Sequence, residues 1–187
     1  MLENLTRFST IRFLYKKLMA MNGITNVVII MINKDYITKD YRKVEGIEIF
    51  KDFDSLKEYT YGDRLKSLLQ KDYFSKGSLL FAYVNQKHIS GFTWCNENFD
   101  PNGDVSLLNI TNYHIAGPTF VEKSHRGQGL SGKLKNSICA YAKEKTQYPI
   151  YAVNSFDNIP IIKNNYREGY RLHKVIIKQK NKEPIIL

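Results

Sequence analysis

The stretch HRGQGLSGKL, residues 125–134, overlays three phosphate-binding patterns that share the same glycines. Starting at Gly127 it reads G-x-G-x-x-G, the fingerprint of a dinucleotide-binding loop. From the same glycine it also reads G-x-x-x-x-G-K, which is most of a nucleotide-triphosphate loop. Starting at Arg126 it reads R-x-x-G-x-S. The surrounding sequence must decide which phosphate group this loop holds.

The context argues against the first two patterns. A dinucleotide loop follows its strand at once and needs an acidic residue about 20 positions later, at the end of the next strand. Here EKSHR, residues 122–126, separates strand from glycines, and the next strand, residues 148–153, leads into Asn154. Only 55 residues follow Gly132, too few for the rest of a doubly wound domain. The triphosphate loop needs a magnesium-binding hydroxyl directly after its lysine, where this chain has Leu134.

The third pattern is supported by its chemistry. The backbone N–H groups of a glycine loop that opens a helix hold a pyrophosphate without a metal, because the helix start carries a partial positive charge. Gly127 and Gly129 let the backbone come close to the phosphates, and Arg126 adds a fixed positive charge. The loop is therefore predicted to bind a pyrophosphate.

The stretch FVEKSHRGQGLSGKLKNSI, residues 120–138, resembles the coenzyme A motif of the GNAT superfamily of acyl-CoA N-acyltransferases. In that motif an apolar strand end and four polar residues precede Arg or Gln, two residues, Gly, one residue, and Gly or Ala. This chain supplies each part as far as Gly129 and has Ser131 in the last place. The order of predicted elements over residues 45–180 is also similar to that family.

The resemblance implies a co-substrate and the positions that bind it. The co-substrate would be acyl-coenzyme A, carrying an acetyl or longer acyl group, with no metal. The loop's main-chain N–H groups would take the pyrophosphate, and the end of the preceding strand would bind the pantetheine arm. Asn158 opens a further family pattern that ends at Gly169 and Tyr170. The coenzyme A-binding positions so implied are Phe120, Val121, Arg126, Gly127, Gln128, Gly129, Leu130, Ser131 and Asn158.

The groups that move protons are left with alternatives. In many family members a tyrosine protonates the leaving thiolate, and its position falls on Asn165, with Tyr166 next to it. One residue along a helix turns a side chain by about 100°, so Tyr166 is a displaced candidate acid, and a water or nearby hydroxyl is the alternative. His114 and Glu122 are candidates for removing the amine's proton. The alternative for His114 is a strand histidine whose ring bonds to a backbone carbonyl, and the alternative for Glu122 is a solvated loop carboxylate.

The acceptor is the least determined part of the prediction. Trp94, Asn154 and Ser155 are candidate substrate-binding residues, although Trp94 also suits a core and the other two suit a turn. Residues 75–94 and 119–134 are similar to acyltransferases that modify amino sugars on nucleotide carriers, which suggests a primary amine on a nucleotide-linked sugar. A net charge of +10 and 13 tyrosines also suit acylation of charged tRNA by a toxin-like enzyme. A non-catalytic module that binds coenzyme A or nucleic acid is the third alternative.

Hydrophobic periodicity predicts one domain, residues 1–187, in which residues 1–45 form an amino-terminal helix–strand extension. Helices are predicted over residues 4–21, 55–73 and 158–168, and from Leu130 onward. The predicted strands are residues 27–32, 46–50, 78–84, 88–95, 105–110, 113–121, 148–153 and 170–179. The sheet is predicted to be antiparallel through residues 79–121 and parallel across the loop helix. The fold class is α+β (mixed α/β), with helices on both faces.

Composition sets the broad class. The 28 Lys and Arg against 18 Asp and Glu favour anionic partners but do not choose among them. Cys95 and Cys139 lie far apart in apolar surroundings, without the spacing of a zinc site or a disulfide scaffold. No apolar run approaches the length of a membrane span, and no cleaved signal is recognised. A cytoplasmic protein is therefore predicted, and a homodimer is left open.

Overall fold

The computed structural model describes residues 16, 17, 19–41, 44–69 and 71–187, which form one eight-stranded sheet with helices packed on it. The strands are β1 (Ile24–Asn33), β2 (Ile47–Phe50), β3 (Leu79–Asn85), β4 (His88–Glu97), β5 (His114–Val121), β6 (Ile150–Ser155), β7 (Arg171–Gln179) and β8 (Lys182–Ile186). The α-helices that follow β2 are α1 (Asp63–Lys66), α2 (Lys71–Ser75), α3 (Leu130–Lys145) and α4 (Ile159–Arg167). Within these ranges, no helix combines the length and apolar character needed to cross a membrane.

The sheet has the strand order β2-β3-β4-β5-β6-β1-β7-β8. Every neighbouring pair is antiparallel except β5 and β6, which are parallel and are joined through α3. A strand–helix–strand crossover is the connection that parallel neighbours require. The predicted change from antiparallel to parallel pairing at the loop helix is confirmed.

The apolar run VVIIMI forms most of β1, which lies inside the sheet between β6 and β7 and is antiparallel to both. Val28, Ile30 and Ile32 pack on one face of the sheet, and Met31 packs on the other. A strand covered on both faces needs apolar residues in succession, which explains the run. The predicted strand is thus confirmed, and it is part of the central sheet.

Helices cover both faces of the sheet, as predicted. Neighbouring residues of β3 point to opposite faces, so they enter different cores. The core under α3 and α4 includes Phe81, Leu134, Ile138, Ala152 and Tyr170. The core under residues 54–75 includes Leu56, Tyr73, Leu80, Phe92 and Trp94.

The helix predicted over residues 55–73 is wrong. The chain there forms a 3-10 helix, Asp54–Glu58, and then the short helices α1 and α2. Between the 3-10 helix and α1, Thr60 takes part in a β-bridge. Its N–H donates to the Lys87 carbonyl (2.8 Å), and its carbonyl accepts a hydrogen bond from Ile89 N–H (2.9 Å). Because the sheet uses both backbone groups of Thr60, a continuous helix cannot pass through it. Of the apolar residues that predicted this helix, Leu56 is buried in the core, whereas Leu68 is exposed.

Two further differences lie in loops. The strand predicted over residues 105–110 is a 3-10 helix, Ser106–Leu108. The Asp100 carboxylate accepts hydrogen bonds from the N–H groups of Val105 and Ser106, which holds the chain in a turn. The predicted last strand, β7, is followed by β8 after a turn in which Asn181 has a φ of 56°. The predicted helix over residues 4–21 lies outside the described residues except at residues 16, 17 and 19–21, which are helical.

Candidate active site

The turn between β5 and α3 is built from backbone. Gly127 and Gly129 have φ values of +80° and +73°, which L side chains rarely adopt. A Cβ atom added at either glycine would meet nothing within 4 Å, so both positions face open space. Gly129 is the N-cap residue of α3, and no described side chain caps the first turn of this helix. The N–H groups of that turn are therefore free to bind an anion.

Side chains beside these glycines brace the loop. Arg126 Nε donates to the Val121 carbonyl (3.0 Å), and Gln128 Nε2 donates to the Ser124 carbonyl (3.3 Å). The first bond uses one of the five N–H donors of the guanidinium group, which leaves the others for a ligand. A fixed positive charge thus lies next to the positive end of α3, an arrangement that suits a phosphate group.

The strands β5 and β6 part before they reach this loop. They pair over two residues each, starting at His114 and Ile150, and β5 then continues to Val121 without a partner in β6. The pairing of β4 with β5 gains one residue on β5 at Gly117–Pro118, which is a β-bulge. A bulge bends its strand, and proline has no N–H group for a ladder. The end of β5 therefore turns away from β6 and leaves backbone groups for a ligand.

Glu122 follows β5 and lines a cleft of about 740 Å³. Its Oε2 lies 3.2 Å from His88 Nε2, and His88 Nδ1 lies 3.0 Å from Thr60 Oγ1. The His88 ring thus bridges the Glu122 carboxylate and the Thr60 hydroxyl. A carboxylate held in this way at the wall of a cleft is placed to accept a proton. The other residues that line the cleft are Gly62, Asp63, Phe120, Lys123, Ser124 and Arg126.

On its inward face α4 contacts the first two turns of α3. Asn164 Nδ2 donates to Ser131 Oγ (3.4 Å). The next residue, Asn165, is fully buried, accepts a hydrogen bond from Lys135 Nζ and donates from Nδ2 to Asn154 Oδ1 (3.2 Å). Both asparagines thus bind α3, and Asn165 also connects it to β6.

The structure brings most of the positions singled out in the sequence to one edge of the sheet. Because β5 and β6 are parallel, their carboxyl ends lie on the same side, with the loop and the start of α4 beside them. Ser155 ends β6, where its Oγ donates to Asp157 Oδ1 (2.7 Å), and Asn158 is the N-cap residue of α4. Leu130 is buried, and its side chain anchors the loop in the core under α3.

His114 lies at the other end of β5, roughly 20 Å from the loop at about 3.3 Å per strand residue. Its side chain is fully buried, with Nε2 2.6 Å from Thr146 Oγ1 and Nδ1 3.6 Å from Cys95 Sγ. Burial lowers the pKa of this imidazole to about 4. Since His114 neither reaches the cleft nor takes up a proton near neutral pH, the structure removes it from the candidate catalytic residues.

Trp94 is also removed from the site. Its side chain is fully buried in the core under residues 54–75, with rings of Tyr73, Phe74 and Phe92 packed around it. A side chain enclosed in this way cannot contact a substrate in the cleft. The alternative interpretation as a core residue is therefore the one the structure supports.

The relation between Asn165 and Tyr166 follows from the regular helix. Asn165 points into the protein, whereas Tyr166 is 45% exposed. The carbonyl of Tyr166 accepts hydrogen bonds from Gly169 N–H and Arg171 Nη1. The position implied for the tyrosine acid thus holds a buried amide, and the phenol beside it faces solvent.

Sequence reasoning missed two residues: His88, which lies at this site, and Lys135, which is buried between α3 and α4. His88 stands directly after the hairpin turn, and the antiparallel order of β4 and β5 is the signal that would have brought it near Glu122. Lys135 lies one helical turn after Ser131, so the two share a face of α3. Lys135 lies next to the apolar stripe of α3 and not on it, so no signal in the sequence predicted its burial.

Comparison with known proteins places the fold. No family model matches the chain, and no curated protein sequence matches it significantly. Among solved structures, it is similar to an acetyltransferase of the GNAT family from Colwellia psychrerythraea, with 15% sequence identity and a TM-score of 0.56. That match covers 89% of this chain and 62% of the Colwellia chain. This chain thus spans less than two thirds of the length of that protein.

Two further similar structures are shorter proteins. One is AAC(6′)-Iy in complex with the bisubstrate analogue CoA-S-monomethyl-acetylneamine, with 15% identity and a TM-score of 0.52. The other is the aminoglycoside antibiotic 6′-N-acetyltransferase AAC(6′)-IG from Acinetobacter haemolyticus, with 15% identity and a TM-score of 0.50. Each match covers 73% of this chain and 99% of the other chain. The chain has the fold of the GNAT acetyltransferases.

Proposed function

We propose that this chain is an acyl-coenzyme A-dependent N-acyltransferase that transfers an acyl group to a primary amine. The observation that carries the proposal is the uncapped start of α3 behind Gly127 and Gly129, at the edge where β5 parts from β6. A helix start that binds anions, next to a parted pair of strands, fits a ligand with a pyrophosphate and a long neutral arm. Acyl-coenzyme A has both features, and it supplies the thioester that an amine attacks.

The residues at this edge match the groups of coenzyme A. The N–H groups of residues 128–131 and the guanidinium of Arg126 suit the pyrophosphate. The pantetheine arm carries amides, which match the backbone groups that β5 leaves without a partner in β6 beyond Ile115. Phe120 and Val121 lie on this part of β5, and Asn158 lies across the edge at the start of α4. These are the positions proposed to bind coenzyme A.

Glu122 is proposed as the group that removes the proton from the attacking amine. The amine must be neutral to attack the carbonyl, and a carboxylate in the cleft is able to take up its proton. His88 holds Glu122 through a bond of 3.2 Å and is itself fixed by Thr60 at 3.0 Å. This arrangement orients the carboxylate and gives the proton a route toward solvent through the half-exposed imidazole.

The acceptor is proposed to be an amino sugar, carried on a nucleotide. Glu122 and Asp63 place two carboxylates in the cleft, which attract a primary ammonium group before it loses its proton. Lys123, in the same cleft, suits a phosphate of a nucleotide carrier. One of the similar structures is named as an acetyltransferase of aminoglycosides, which are amino sugars, and this supports the class of acceptor.

Calorimetry with coenzyme A tests the co-substrate. Gly129→Asp places a carboxylate where the pyrophosphate is expected and should weaken binding about 100-fold or more. Gly77→Asp is the matched control, because Gly77 is also exposed, has a φ of +79° and has nothing within 4 Å of an added Cβ. It should bind as the parent does. Equal affinity of the Gly129→Asp variant and the parent would contradict the proposal, and so would binding that requires magnesium.

A panel of acceptors tests the reaction. Release of coenzyme A from acetyl-CoA is followed by mass spectrometry with nucleotide-linked amino sugars, polyamines and charged tRNA. Acylation of an amino sugar is the expected result. Modification of tRNA, with affinity that falls steeply between low and moderate salt, would replace the amino-sugar acceptor with nucleic acid. Binding of coenzyme A without transfer to any acceptor would favour a non-catalytic module.

A further inference from the structure

A second cavity, of about 500 Å³, lies at the edge of the sheet where β6 ends. It is lined by helical residues ahead of β1, the first four residues of β1 and the loop from β6 to α4. The pairing of β1 with β6 begins at Val28 and Ser155, so β1 extends past β6 and its open side forms a wall. We call this space the β6-edge cavity. Among the described residues, none lines both this cavity and the cleft beside Glu122.

The β6-edge cavity and the cleft have walls on the same face of the sheet. Ser155 alternates along β6 with Val153 and Tyr151, which pack on the face opposite α3 and α4. Phe120, which lines the cleft, packs on that face as well. Because β6 lies between β5 and β1, two strand spacings of about 4.8 Å separate the cavity from the end of β5. A ligand can therefore extend from one to the other without crossing the side of α3, where the pyrophosphate of coenzyme A is expected.

Two neighbouring side chains in the cavity match the base and the ribose of a nucleotide. Phe156 is 39% exposed, and an aromatic ring in a cavity offers a surface on which a nucleobase stacks. Asp157 Oδ1 accepts a hydrogen bond from Ser155 Oγ (2.7 Å). A carboxylate accepts about four hydrogen bonds in all, so Asp157 is also able to accept from ribose hydroxyls. The apolar side chains of Met19 and Ile24 add walls that suit the rest of the base.

Lys180 supplies the charge that a phosphate group requires. Lys16 Nζ lies 3.4 Å from Asp157 Oδ2, so the charges of these two residues offset each other. Lys180 is exposed and forms no ion pair with a carboxylate in the part of the chain that the structure describes. The cavity therefore carries a net positive charge, which favours an anionic ligand.

We propose that the β6-edge cavity binds the ribonucleoside diphosphate that carries the acceptor sugar. This inference rests on the proposed function, in which the cleft beside Glu122 holds the amino sugar. The base stacks on Phe156, the ribose hydroxyls donate to Asp157, and a phosphate binds Lys180. The sugar beyond the diphosphate then reaches the cleft. No bond forms or breaks in the cavity, so it contributes affinity for the acceptor and not chemistry.

Calorimetry with UDP, CDP, GDP and ADP, with and without saturating coenzyme A, tests the site. At least one of these nucleotides should bind under both conditions. Phe156→Ser should weaken its binding about tenfold or more, because stacking on the ring is lost. Phe156→Tyr keeps an aromatic ring and should keep the affinity. Leu107→Ser, at another large apolar residue that is 38% exposed, is the control and should bind as the parent does.

The phosphate contact is tested by Lys180→Met. This variant should bind the same nucleotide about fivefold or more weakly, and its affinity should depend less on salt, because one charge–charge contact is lost. Lys182→Met, at an exposed lysine two residues later, is the matched control and should change neither quantity. An unchanged affinity and salt dependence in Lys180→Met would contradict the proposed site.

The ribose contact is tested with the 2′-deoxy form of the nucleotide that binds. The parent should bind the ribonucleotide more tightly than the deoxynucleotide, because the 2′-hydroxyl donates to Asp157. In Asp157→Ala the two affinities should become nearly equal. A residue that only supports the loop would lower both affinities alike, and an undiminished preference for the ribonucleotide in this variant would remove Asp157 from the site.

The outcomes separate this inference from the proposed function. If the parent binds coenzyme A but none of the nucleotides, only this inference is overturned. If coenzyme A displaces the nucleotide, or if Phe156→Ser weakens coenzyme A equally, the cavity belongs to the adenosine of coenzyme A and the inference is again overturned. If a nucleotide binds but coenzyme A does not, the proposed function is overturned, and the carrier role with it. Should Phe156→Ser fail to fold, Lys180→Met decides.

Discussion

The two ends of β5 carry the two residues that sequence reasoning favoured for proton removal, and the fold gives them opposite environments. His114, at the start, is sealed between Thr146 and Cys95 with its pKa lowered to about 4. Glu122, just past the end, lines a cleft and is joined by His88. Residue type alone therefore does not identify a catalytic residue, because the edge of the sheet where the residue lies decides whether a ligand can reach it.

The helix that follows β5 explains this asymmetry. α3 starts beside the end of β5 and finishes near its beginning, where Thr146 follows the helix and contacts His114. Only the start of a helix offers free N–H groups and a partial positive charge to an anion. The two ends of β5 are therefore not equivalent, and a phosphate-bearing ligand is expected only at the end that carries Glu122.

The largest expected effect separates the two ends directly. Glu122→Gln removes the proposed proton acceptor and should lower the rate of acyl transfer about 100-fold or more, within the usual range for general base catalysis. Steady-state rates with the acceptor found in the panel provide the measurement. Glu58→Gln, at an exposed carboxylate paired with Lys87, is the control and should leave the rate unchanged. A rate in Glu122→Gln within threefold of the parent would remove Glu122 from the mechanism.

A smaller effect is expected from the partner of Glu122. His88→Gln keeps a side chain that can donate to the carboxylate but loses the imidazole, so the rate should fall about tenfold. His173→Gln, at a histidine on β7, controls for the loss of an imidazole elsewhere. If His88→Gln matched Glu122→Gln in its loss of rate, His88 itself would be the proton acceptor and Glu122 would orient it.

Tyr166→Phe should lower turnover by less than about tenfold, because its phenol faces solvent on the outer side of α4. Rates at saturating acetyl-CoA, together with coenzyme A affinity from calorimetry, provide the measurement. A loss of about 100-fold with affinity intact would show that the phenol acts as the acid.

The smallest effect on turnover is expected at the other end of β5. His114→Asn should leave the rate of the folded protein within about twofold, but it should change the response to acid. Because the folded pKa of about 4 lies below the unfolded value of about 6.5, folding stability is lost as the pH falls from 6.5 toward 4. This difference in pKa corresponds to a loss of roughly 3 kcal/mol in the free energy of unfolding. Urea unfolding at pH 7 and pH 4.5 should show a smaller loss in the variant, and an equal loss would contradict a buried neutral imidazole.

The sequence by itself determined the features that depend on neighbouring residues. The glycine loop, the start of α3 and the apolar run of β1 were all readable, because each is specified within a few positions. The antiparallel pairing of β3 and β4 likewise follows from two strand patterns joined by a short link, although the link is one residue shorter than the three residues expected, because Asn85 pairs with His88. The parallel crossover followed from the length of chain between β5 and β6.

Only the tertiary structure decided which side chains meet. Glu122 and His88 are 34 residues apart, and Lys135 and Asn165 are 30 apart, so their contacts depend on strand register and on how α4 packs against α3. The burial of Trp94 and His114 and the place of β1 inside the sheet depend on the same long-range packing. Backbone conformation is set by local sterics, whereas the partners of a side chain are set by burial and hydrogen bonds between distant segments, which no short stretch of sequence records.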